Sequence, residues 1–529
     1  MRAIPPVARP LLLAALLAHP VAAQEHTHGT DEGLGTVHFA TSCAPAVEPR
    51  FDRAVALLHS FEFGAAIRGF DAVLADDSTC AMAYWGIALA RWTNPMAPGN
   101  RAPALLAQGR QAAATGLRLA GGASAREQDY LAAVSRLYDD YEHTAQPARV
   151  LAYEHAMADL VARVPADTEA KIFYALSLVA AAPPTDKTYA NQLQAGAILE
   201  ALWRVEPNHP GLAHYIIHAY DVPALAPQAA AAARRYAEIA PAAAHALHMP
   251  SHTFTRLGLW EASIATNRRS IAAALRDSSM GEALHASDYM EYAYLQLRRD
   301  SEAKAVLASL PALAARFDPA VVRGAAPGTA GVFALAAIPA RYALERHAWR
   351  EAAALTPRTT ALPWVDATTW FARALGAAHT GDTAAVRVAG DSLLAFHARL
   401  TASGEAYWAE QVAIQRLGAQ AWLDLAQGRR ADALAHMSEA ATREDATEKS
   451  AVTPGPLAPA RELLGDMLMS LGRPAEALAE YRRTLVKEPR RFRGLDGARR
   501  AALAAGDGAA ARAYAAQLEE LTHSRPQGS

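Results

Sequence analysis

The apolar positions of this chain are filled mainly by alanine and leucine, and a recurring turn phrase interrupts them. In that phrase a glycine or another turn residue precedes a bulky or polar residue and then Glu-Ala or Ala-Ala, as in Leu257–Ala262 and Leu471–Ala477. Glycine ends one helix without Cβ strain, and alanine early in the next helix lets the two backbones approach. The runs of Val, Ile, Thr and Tyr that strands require are absent. The pattern therefore predicts an all-α protein built of antiparallel helix pairs.

The clearest copy of this unit is Leu463–Pro489, where the final proline stops the second helix. Looser copies lie at Arg299–Ala303, His347–Ala352 and Gln427–Ala433. These residues resemble the tetratricopeptide repeat, a helix–turn–helix unit of about 34 residues. The resemblance implies an α-solenoid, a superhelix whose concave face is lined by the first helix of each pair.

The ends and breaks of the pattern predict the organisation of the chain. A basic start, a short apolar run and Val21-Ala22-Ala23 before Gln24 are typical of a cleaved secretory signal peptide. Its apolar run is too short to span a bilayer, so we expect a periplasmic or secreted protein without stable membrane insertion. The predicted segments are a signal peptide at 1–23, a disordered mature N-terminus at 24–40, an N-terminal array with the histidines at 41–307, a linker at 308–331, a C-terminal array at 332–523 and a disordered tail at 524–529.

Several of the nineteen histidines are concentrated between residues 209 and 285. His214 and His218 are four residues apart, so they share one helix face, and His248 and His252 repeat that spacing. The two pairs are offset by 34 residues, which is one repeat. We therefore expect them at equivalent positions on neighbouring first helices, whose axes lie about 8–10 Å apart. Four imidazoles could then converge on the concave wall.

Imidazole is a common neutral ligand of zinc, copper and iron, so these four histidines are candidate ligands of a transition metal. His245, one turn before His248, and His285, near the corresponding place in the next repeat, are further candidates. Asp221 or Asp288 could complete the site or orient a ligand. Two alternatives stay open. The histidines could form a metal-free site for a ligand or peptide, or they could only pack in the core.

Motifs of catalysis are missing from the sequence. It contains no His-Glu-x-x-His, no phosphate-binding loop, no dinucleotide fingerprint and no nucleophile elbow, so we assign no catalytic residue. Arg256 and Asn267 flank the histidine-bearing hairpin, and we expect them either to bind an anion in a ligand groove or to bridge helices.

Cysteine and charge add two expectations. In an oxidising compartment Cys43 and Cys80 are expected to form a disulfide, which would stabilise the fold by about 4 kcal/mol in the chain-entropy model. Two buried unpaired thiols are the alternative. The formal net charge of −2 argues against a general polyanion binder, so nucleic acid is not an expected partner.

Longer phrases are similar to those of large secreted bacterial tetratricopeptide-repeat proteins, namely His38–Cys43, Cys80–Gly86, His209–Asp221 and His248–His252. This resemblance implies the fold and the export, and it brings no catalytic residue. Two classes of function follow. One is a scaffold that binds a protein, peptide or small ligand on its concave face, with a histidine site for a transition metal. The other is a metal-dependent hydrolase or redox enzyme that acts at the histidines, and the fold alone does not decide between them.

Overall fold

The computed structural model describes residues 33–97, 99–321 and 323–523. The predicted signal peptide, residues 24–32 and the predicted tail at 524–529 lie outside that part of the chain. Within it every regular element is a helix, so the predicted all-α class is confirmed. No described helix combines the length and the apolar composition needed to cross a membrane.

The described α-helices fall into three consecutive groups. The first precedes the histidine-rich segment and contains α1 (Glu48–His59), α2 (Phe63–Asp76), α3 (Ala81–Trp92), α4 (Pro103–Leu119), α5 (Ala125–Ser135), α6 (Gln146–Arg163), α7 (Thr168–Ala181) and α8 (Ala190–Trp203). The second carries the histidines and contains α9 (Pro210–Ala219), α10 (Ala230–Ile239), α11 (Ala244–His248), α12 (Pro250–Arg256), α13 (Trp260–Arg276), α14 (Met280–Gln296) and α15 (Asp300–Ala314). The third contains α16 (Gly328–Glu345), α17 (Trp349–Ala353), α18 (Pro363–Thr380), α19 (Thr383–Ala402), α20 (Ala406–Ala426), α21 (Arg430–Asp445), α22 (Ala460–Ser470), α23 (Pro474–Lys487), α24 (Phe492–Ala504) and α25 (Gly508–His523).

The recurring turn phrase forms the tight turn that the sequence predicts. Gly258, between α12 and α13, has a φ of 66°, a left-handed conformation that costs glycine little. The Leu259 N–H then donates to the carbonyl of Phe254 at 2.8 Å, which closes the C-terminus of α12. A Cβ at Gly258 would also lie 2.5 Å from the Pro489 carbonyl oxygen, so the close approach of the chain there requires glycine as well.

Helix pairs stack in register along the chain. Helices α12, α14, α16, α18, α20 and α22 each contact the next member of this series, and α9 contacts α12. The intervening helices pack against their neighbours in sequence, as in α13 with α14 and α19 with α20. First helices therefore lie side by side, which is the stacking of a tetratricopeptide-like α-solenoid.

The break between the two predicted arrays is shorter than the linker expected at 308–331. Helix α15 continues to Ala314, with Pro311 inside it, and α16 already begins at Gly328. The connection is therefore 315–327. Of the proline and glycine residues that suggested a longer loop, Pro311, Gly328 and Gly331 lie within the two helices. Pro319, Gly324 and Pro327 remain in the connection.

Residues 33–40 correct the expectation of a disordered N-terminus at 24–40. Leu34, Val37 and Phe39 are buried, and the Phe39 ring lies 5.0 Å from that of Trp85. The polar, glycine-containing composition of residues 24–40 gave no sign that these three apolar side chains would be buried. Close by, Cys43 and Cys80 are joined, so the predicted disulfide is confirmed.

Candidate metal centre

Six buried histidines on three first helices form one cluster, which we call the histidine cluster. None of them is more than 6% exposed. Helix α11 ends at His248 and α12 begins at Pro250, so a short break divides the first helix of this repeat into two halves. The 34-residue offset places α9 and α12 in contact as predicted, and α14 follows. The members are His214 and His218 on α9, His245 and His248 on α11, His252 on α12 and His285 on α14.

The histidine cluster is divided into two triads. The His214 triad contains His214, His218 and His245, and the His248 triad contains His248, His252 and His285. Within each triad, one ligand nitrogen from every ring lies within 4.8 Å of the other two. The pair His214 and His218 and the pair His248 and His252 therefore belong to separate triads, whereas the sequence predicted that all four imidazoles converge. The two further candidates, His245 and His285, each complete one of them.

Two imidazole nitrogens face each other in the His248 triad. The Nε2 atoms of His248 and His252 are 3.1 Å apart. The Nδ1 of His248 lies 2.7 Å from Oδ1 of Asn267, whose amide nitrogen donates to the Ser263 carbonyl at 2.7 Å and so fixes the amide orientation. The Nδ1 of His252 lies 3.0 Å from the carboxylate of Asp221. Both Nδ1 atoms therefore carry the proton, and both Nε2 atoms present lone pairs to each other.

Protonation does not relieve this contact. Burial lowers the pKa of His248 well below its ordinary value and that of His252 to about 4. Burial also lowers the pKa of His285 to about 3. At neutral pH the rings are uncharged, and two nitrogen lone pairs meet at 3.1 Å with no proton between them. A cation held between these nitrogens would remove the repulsion and use both lone pairs.

The His214 triad repeats part of this geometry. The Nδ1 of His214 donates to the backbone carbonyl of His59 at 2.6 Å, and its Nε2 lies 3.1 Å from that of His218. Burial lowers the pKa of both rings well below the usual value. Among the described residues neither ring nitrogen of His245 has a hydrogen-bond partner. A buried imidazole without partners is costly, so this ring too is suited to a ligand that the chain does not supply.

Two glutamates beside His245 were not predicted from the sequence. Glu282 Oε1 lies 3.8 Å from the Nδ1 of His245, and Glu62 accepts from its backbone N–H at 3.4 Å. Burial and the nearby Glu282 raise the pKa of Glu62 to about 8. Glu282 lies on α14 one turn before His285, and this Glu-x-x-His spacing is the signal that could have found it. Glu62 directly precedes α2, and no sequence signal marks it.

Asp221 lies behind the ligand atoms rather than among them. Its carboxylate accepts from Nδ1 of His252, from Nε of Arg256 at 2.9 Å and from Nζ of Lys449 at 3.4 Å. Burial raises the pKa of Asp221, but Lys449 and Arg256 outweigh burial and hold it well below the usual range. An ionised Asp221 fixes the tautomer and orientation of His252, which is the role of a residue behind a metal ligand.

Arg256 and Asn267 do not line a ligand groove, which corrects one of their two expected roles. They are 3% and 0% exposed, respectively. The Arg256 guanidinium donates to the carboxylate and to the backbone carbonyl of Asp221, and the Asn267 side chain accepts from Nδ1 of His248. The short turn between α12 and α13 places them behind the His248 triad, where they orient other residues.

Asp288 is excluded from the site by an ion pair. It follows His285 by one turn on α14, but its carboxylate lies 3.2 Å from Nε of Arg341 on α16. Both side chains are fully buried. The aspartate expected as a possible ligand therefore joins two first helices instead.

A loop of the C-terminal helices covers the histidine cluster. Residues 446–459, which we call the cover loop, join α21 to α22. Lys449 inserts towards Asp221, and Tyr289 donates to the backbone carbonyl oxygens of Ala451 and Thr453 at 3.0 and 3.1 Å. The Tyr289 ring lies 4.8 Å from that of His252. The sequence separation from Asp221 to Lys449 is too large for any local pattern to predict this contact.

A further buried group, the His59 group, consists of His59, Glu169 and His209. The Nε2 atoms of the two histidines lie 2.9 and 3.0 Å from opposite oxygens of Glu169. The Nδ1 of His59 lies 3.0 Å from the hydroxyl of Tyr215, which is able to donate to it. Both imidazole N–H groups that face Glu169 therefore have an acceptor, although the Nδ1 of His209 has no hydrogen-bond partner among the described residues.

Comparison with known proteins gives no family. No protein-family model matches the sequence, and a search of curated proteins finds no match. Similar solved structures include the human IFIT1 dimer with m7Gppp-AAAA, at 12% identity over 80% of this chain and 87% of that chain with a TM-score of 0.37. The Naa15/Naa10 structure bound to HypK-THB matches at 12% identity over 92% of this chain and 69% of that chain with a TM-score of 0.22. Similarities of this size support no argument about ligand or partner, and the fold rests on the helices described above.

Proposed function

We propose that this protein is a metalloprotein in which the helix-pair scaffold holds transition-metal ions at the two histidine triads. The observation that carries the proposal is the pair of facing Nε2 atoms of His248 and His252, 3.1 Å apart with both Nδ1 protons committed to oxygen acceptors. Two imidazole nitrogens bound to one tetrahedral ion at about 2.0–2.1 Å lie on the order of 3.3 Å apart. The metal-free spacing is therefore close to that of a bound pair.

The donor set indicates the class of ion. Neutral imidazoles suit zinc, copper and iron, and they are poor ligands for calcium or magnesium, which take oxygen. Three histidines leave a tetrahedral ion one further position, which is the arrangement of catalytic rather than structural zinc. This is the observation that favours the second candidate, a metal-dependent hydrolase or redox enzyme.

Export to the periplasm or the cell exterior is part of the proposal. The disulfide between Cys43 and Cys80 supports it, because structural disulfides persist in oxidising compartments. The signal peptide that predicts export lies outside the described residues.

Binding of a peptide partner is a further candidate, and a pocket of about 580 Å³ supports it. Its wall carries a row of stacked rings, with 4.4 Å between the ring centroids of His347 and Trp349 and 3.9 Å between those of Trp349 and His379. Titration with a mixture of random dodecapeptides should shift tryptophan fluorescence in the native protein and not in Trp349→Leu. An unchanged spectrum at millimolar peptide would remove this candidate.

Elemental analysis tests the metal proposal. Protein prepared from a periplasmic extract without chelator should contain at least one equivalent of zinc, copper or iron. The variant with His248→Asn and His252→Asn should lose the ion of that triad, because two of its three ligands are gone.

The matched control is His155→Asn, which changes an exposed histidine on α6. It should retain the full metal content, and circular dichroism should show equal helix content in all three proteins. Native protein that stays metal-free after incubation with each of the three ions would contradict the proposal.

A further inference from the structure

The two triads lie against each other within the histidine cluster. The ring centroids of His245 and His248, one turn apart on α11, are 6.1 Å apart. Those of His218 and His252, on α9 and α12, are 6.2 Å apart. Within single triads the widest separations are 6.4 Å, between His218 and His245, and 6.2 Å, between His252 and His285. The rings of different triads are thus as close as the outer rings of one triad.

The six histidines of the two triads carry no charge of their own. All six members of the histidine cluster are neutral imidazoles when they bind a metal, so two divalent ions would bring four positive charges into a buried site. The carboxylate of Asp221 is already shared by Arg256 and Lys449. Glu62 and Glu282 stand beside His245, and Glu282 also lies one turn before His285, so these carboxylates offset only part of the four positive charges. Buried charge without a counter-charge is costly, so the loaded site requires an anion.

Lys449 of the cover loop adds positive charge beside the gap, which strengthens the requirement for an anion. The side chain of Lys449 is 4% exposed, and its Nζ lies 3.5 Å from the hydroxyl of Tyr289. Tyr289 in turn packs on both His248 and His252, with centroid distances of 4.9 and 4.8 Å. The ammonium group therefore lies next to the His248 triad and favours negative charge there.

Building on the proposed metal sites, we propose that the two ions form one centre and share a small inorganic anion in the gap between the triads. Each triad leaves one coordination position, and the gap between His245 and His248 and between His218 and His252 is where both positions can be filled by one ligand. Hydroxide, azide and similar anions of two or three atoms have the size and charge for this position. Lys449 stabilises the bound anion by its charge.

The test uses the full chain loaded with copper(II), with azide as the probe. A shared anion couples the two unpaired spins, so protein with two copper ions per chain should show less than half of the electron paramagnetic resonance intensity of two isolated ions. Azide should add a charge-transfer absorption band that saturates at one azide per chain.

Three variants sharpen the measurement. Replacing His214 and His218 by Asn removes one triad, so one copper per chain should remain with the full signal of an isolated ion. Lys449→Gln should keep two coppers and bind azide at least tenfold more weakly. Lys304→Gln, which changes an exposed lysine on α15, is the matched control and should bind azide like the native chain.

The outcomes separate this inference from the proposed function. Two coppers per chain with the full signal of isolated ions, or a single copper per chain, would overturn the shared centre while the metal proposal stands. Absence of copper binding would overturn the shared centre, and absence of zinc and iron binding as well would overturn the metal proposal. If Lys449→Gln fails to fold, the spin intensity and azide stoichiometry of the native chain still decide the question.

Discussion

The His59 group and the His248 triad are both sets of three buried side chains with their nitrogens close together, yet they differ in how their protons are used. In the His59 group, a carboxylate accepts from both histidines at 2.9 and 3.0 Å. In the His248 triad, the acceptors lie outside, on Asn267 and Asp221, and nitrogen faces nitrogen at 3.1 Å. The close contacts of the first group pair N–H donors with an acceptor, whereas that of the second pairs two nitrogen lone pairs, which a cation would use.

This difference shows that burial and proximity alone do not identify a metal site. Both groups satisfy a distance criterion for three possible ligands. What separates them is whether the close contact pairs a donor with an acceptor, as at Glu169, or two acceptor nitrogens with each other, as at His248 and His252. The same rule explains why Asn267 is informative: its amide orientation determines the tautomer of His248.

The largest expected effect comes from metal removal. An ion that binds the folded chain and not the unfolded chain stabilises it by about 4 kcal/mol when its free concentration is a thousand times the dissociation constant. Chelation should therefore lower the urea midpoint of the native protein strongly. The variant with His248→Asn and His252→Asn should show a smaller shift, because one triad is lost. Equal midpoints with and without metal would contradict metal binding at the cluster.

Glu169→Gln should destabilise the metal-free protein and leave metal binding unchanged, the opposite of the effect expected at the His248 triad. A glutamine oxygen can accept from only one of the two histidines, which leaves a buried N–H unpaired at a cost of about 1–3 kcal/mol. Urea denaturation of metal-free protein should show this loss, whereas elemental analysis should show unchanged metal content. Glu206→Gln, in the half-exposed neighbourhood of the same group, should change neither measurement. Loss of metal in Glu169→Gln would mean that the His59 group itself binds an ion.

Residues behind the ligands should tune affinity without abolishing it. Asp221→Asn weakens the acceptor that holds His252, and changes of this kind lower metal affinity by about 10–100-fold. Competition with a chelating dye measures the change. Asp288→Asn is the matched comparison, because Asp288 follows His285 by one turn but is engaged with Arg341. Its metal affinity should stay within about threefold of native, well below the 10–100-fold expected behind a ligand, and an equal loss in both variants would contradict separate roles.

The sequence predicts which helices carry the histidine cluster but not the division of the cluster into two triads. The four-residue spacing and the 34-residue offset correctly placed His214 and His218 beside the segment of α11 and α12 that carries His248 and His252. The grouping into triads depends on ring orientations, and these are determined by distant acceptors such as the His59 carbonyl. Spacing along a helix contains no information on those contacts.

The remaining parts of the site come from long-range packing. Lys449 reaches Asp221 only because the cover loop lies on the N-terminal helices. Glu62, which directly precedes α2, reaches His245 only because that end of α2 lies beside α11. A periodic pattern reports which face of a helix is buried, not which loop covers it. The same limit affected the N-terminus, where Phe39 is buried although the surrounding residues are polar and small.

The last comparison is the acid response of the metal-free protein, to which buried histidines of both regions contribute. Burial lowers the pKa of His252 to about 4 and of His285 to about 3, whereas an exposed imidazole titrates near 6.5. The unfolded chain therefore binds protons that the folded chain does not, so stability is complete above about pH 6.5 and falls by about 1.4 kcal/mol per pH unit for each such histidine. Burial raises the pKa of Glu169, but His59 and His209 outweigh burial and lower it, so that contribution is lost only below about pH 4.3. Urea denaturation at pH 7.5 and 5.5 should show a loss that becomes smaller in His285→Asn. Glu169→Gln should not make the loss smaller, because burial also lowers the pKa of His59 and Glu169 opposes that lowering. A flat profile between these values would mean that the cluster histidines are not held neutral by burial.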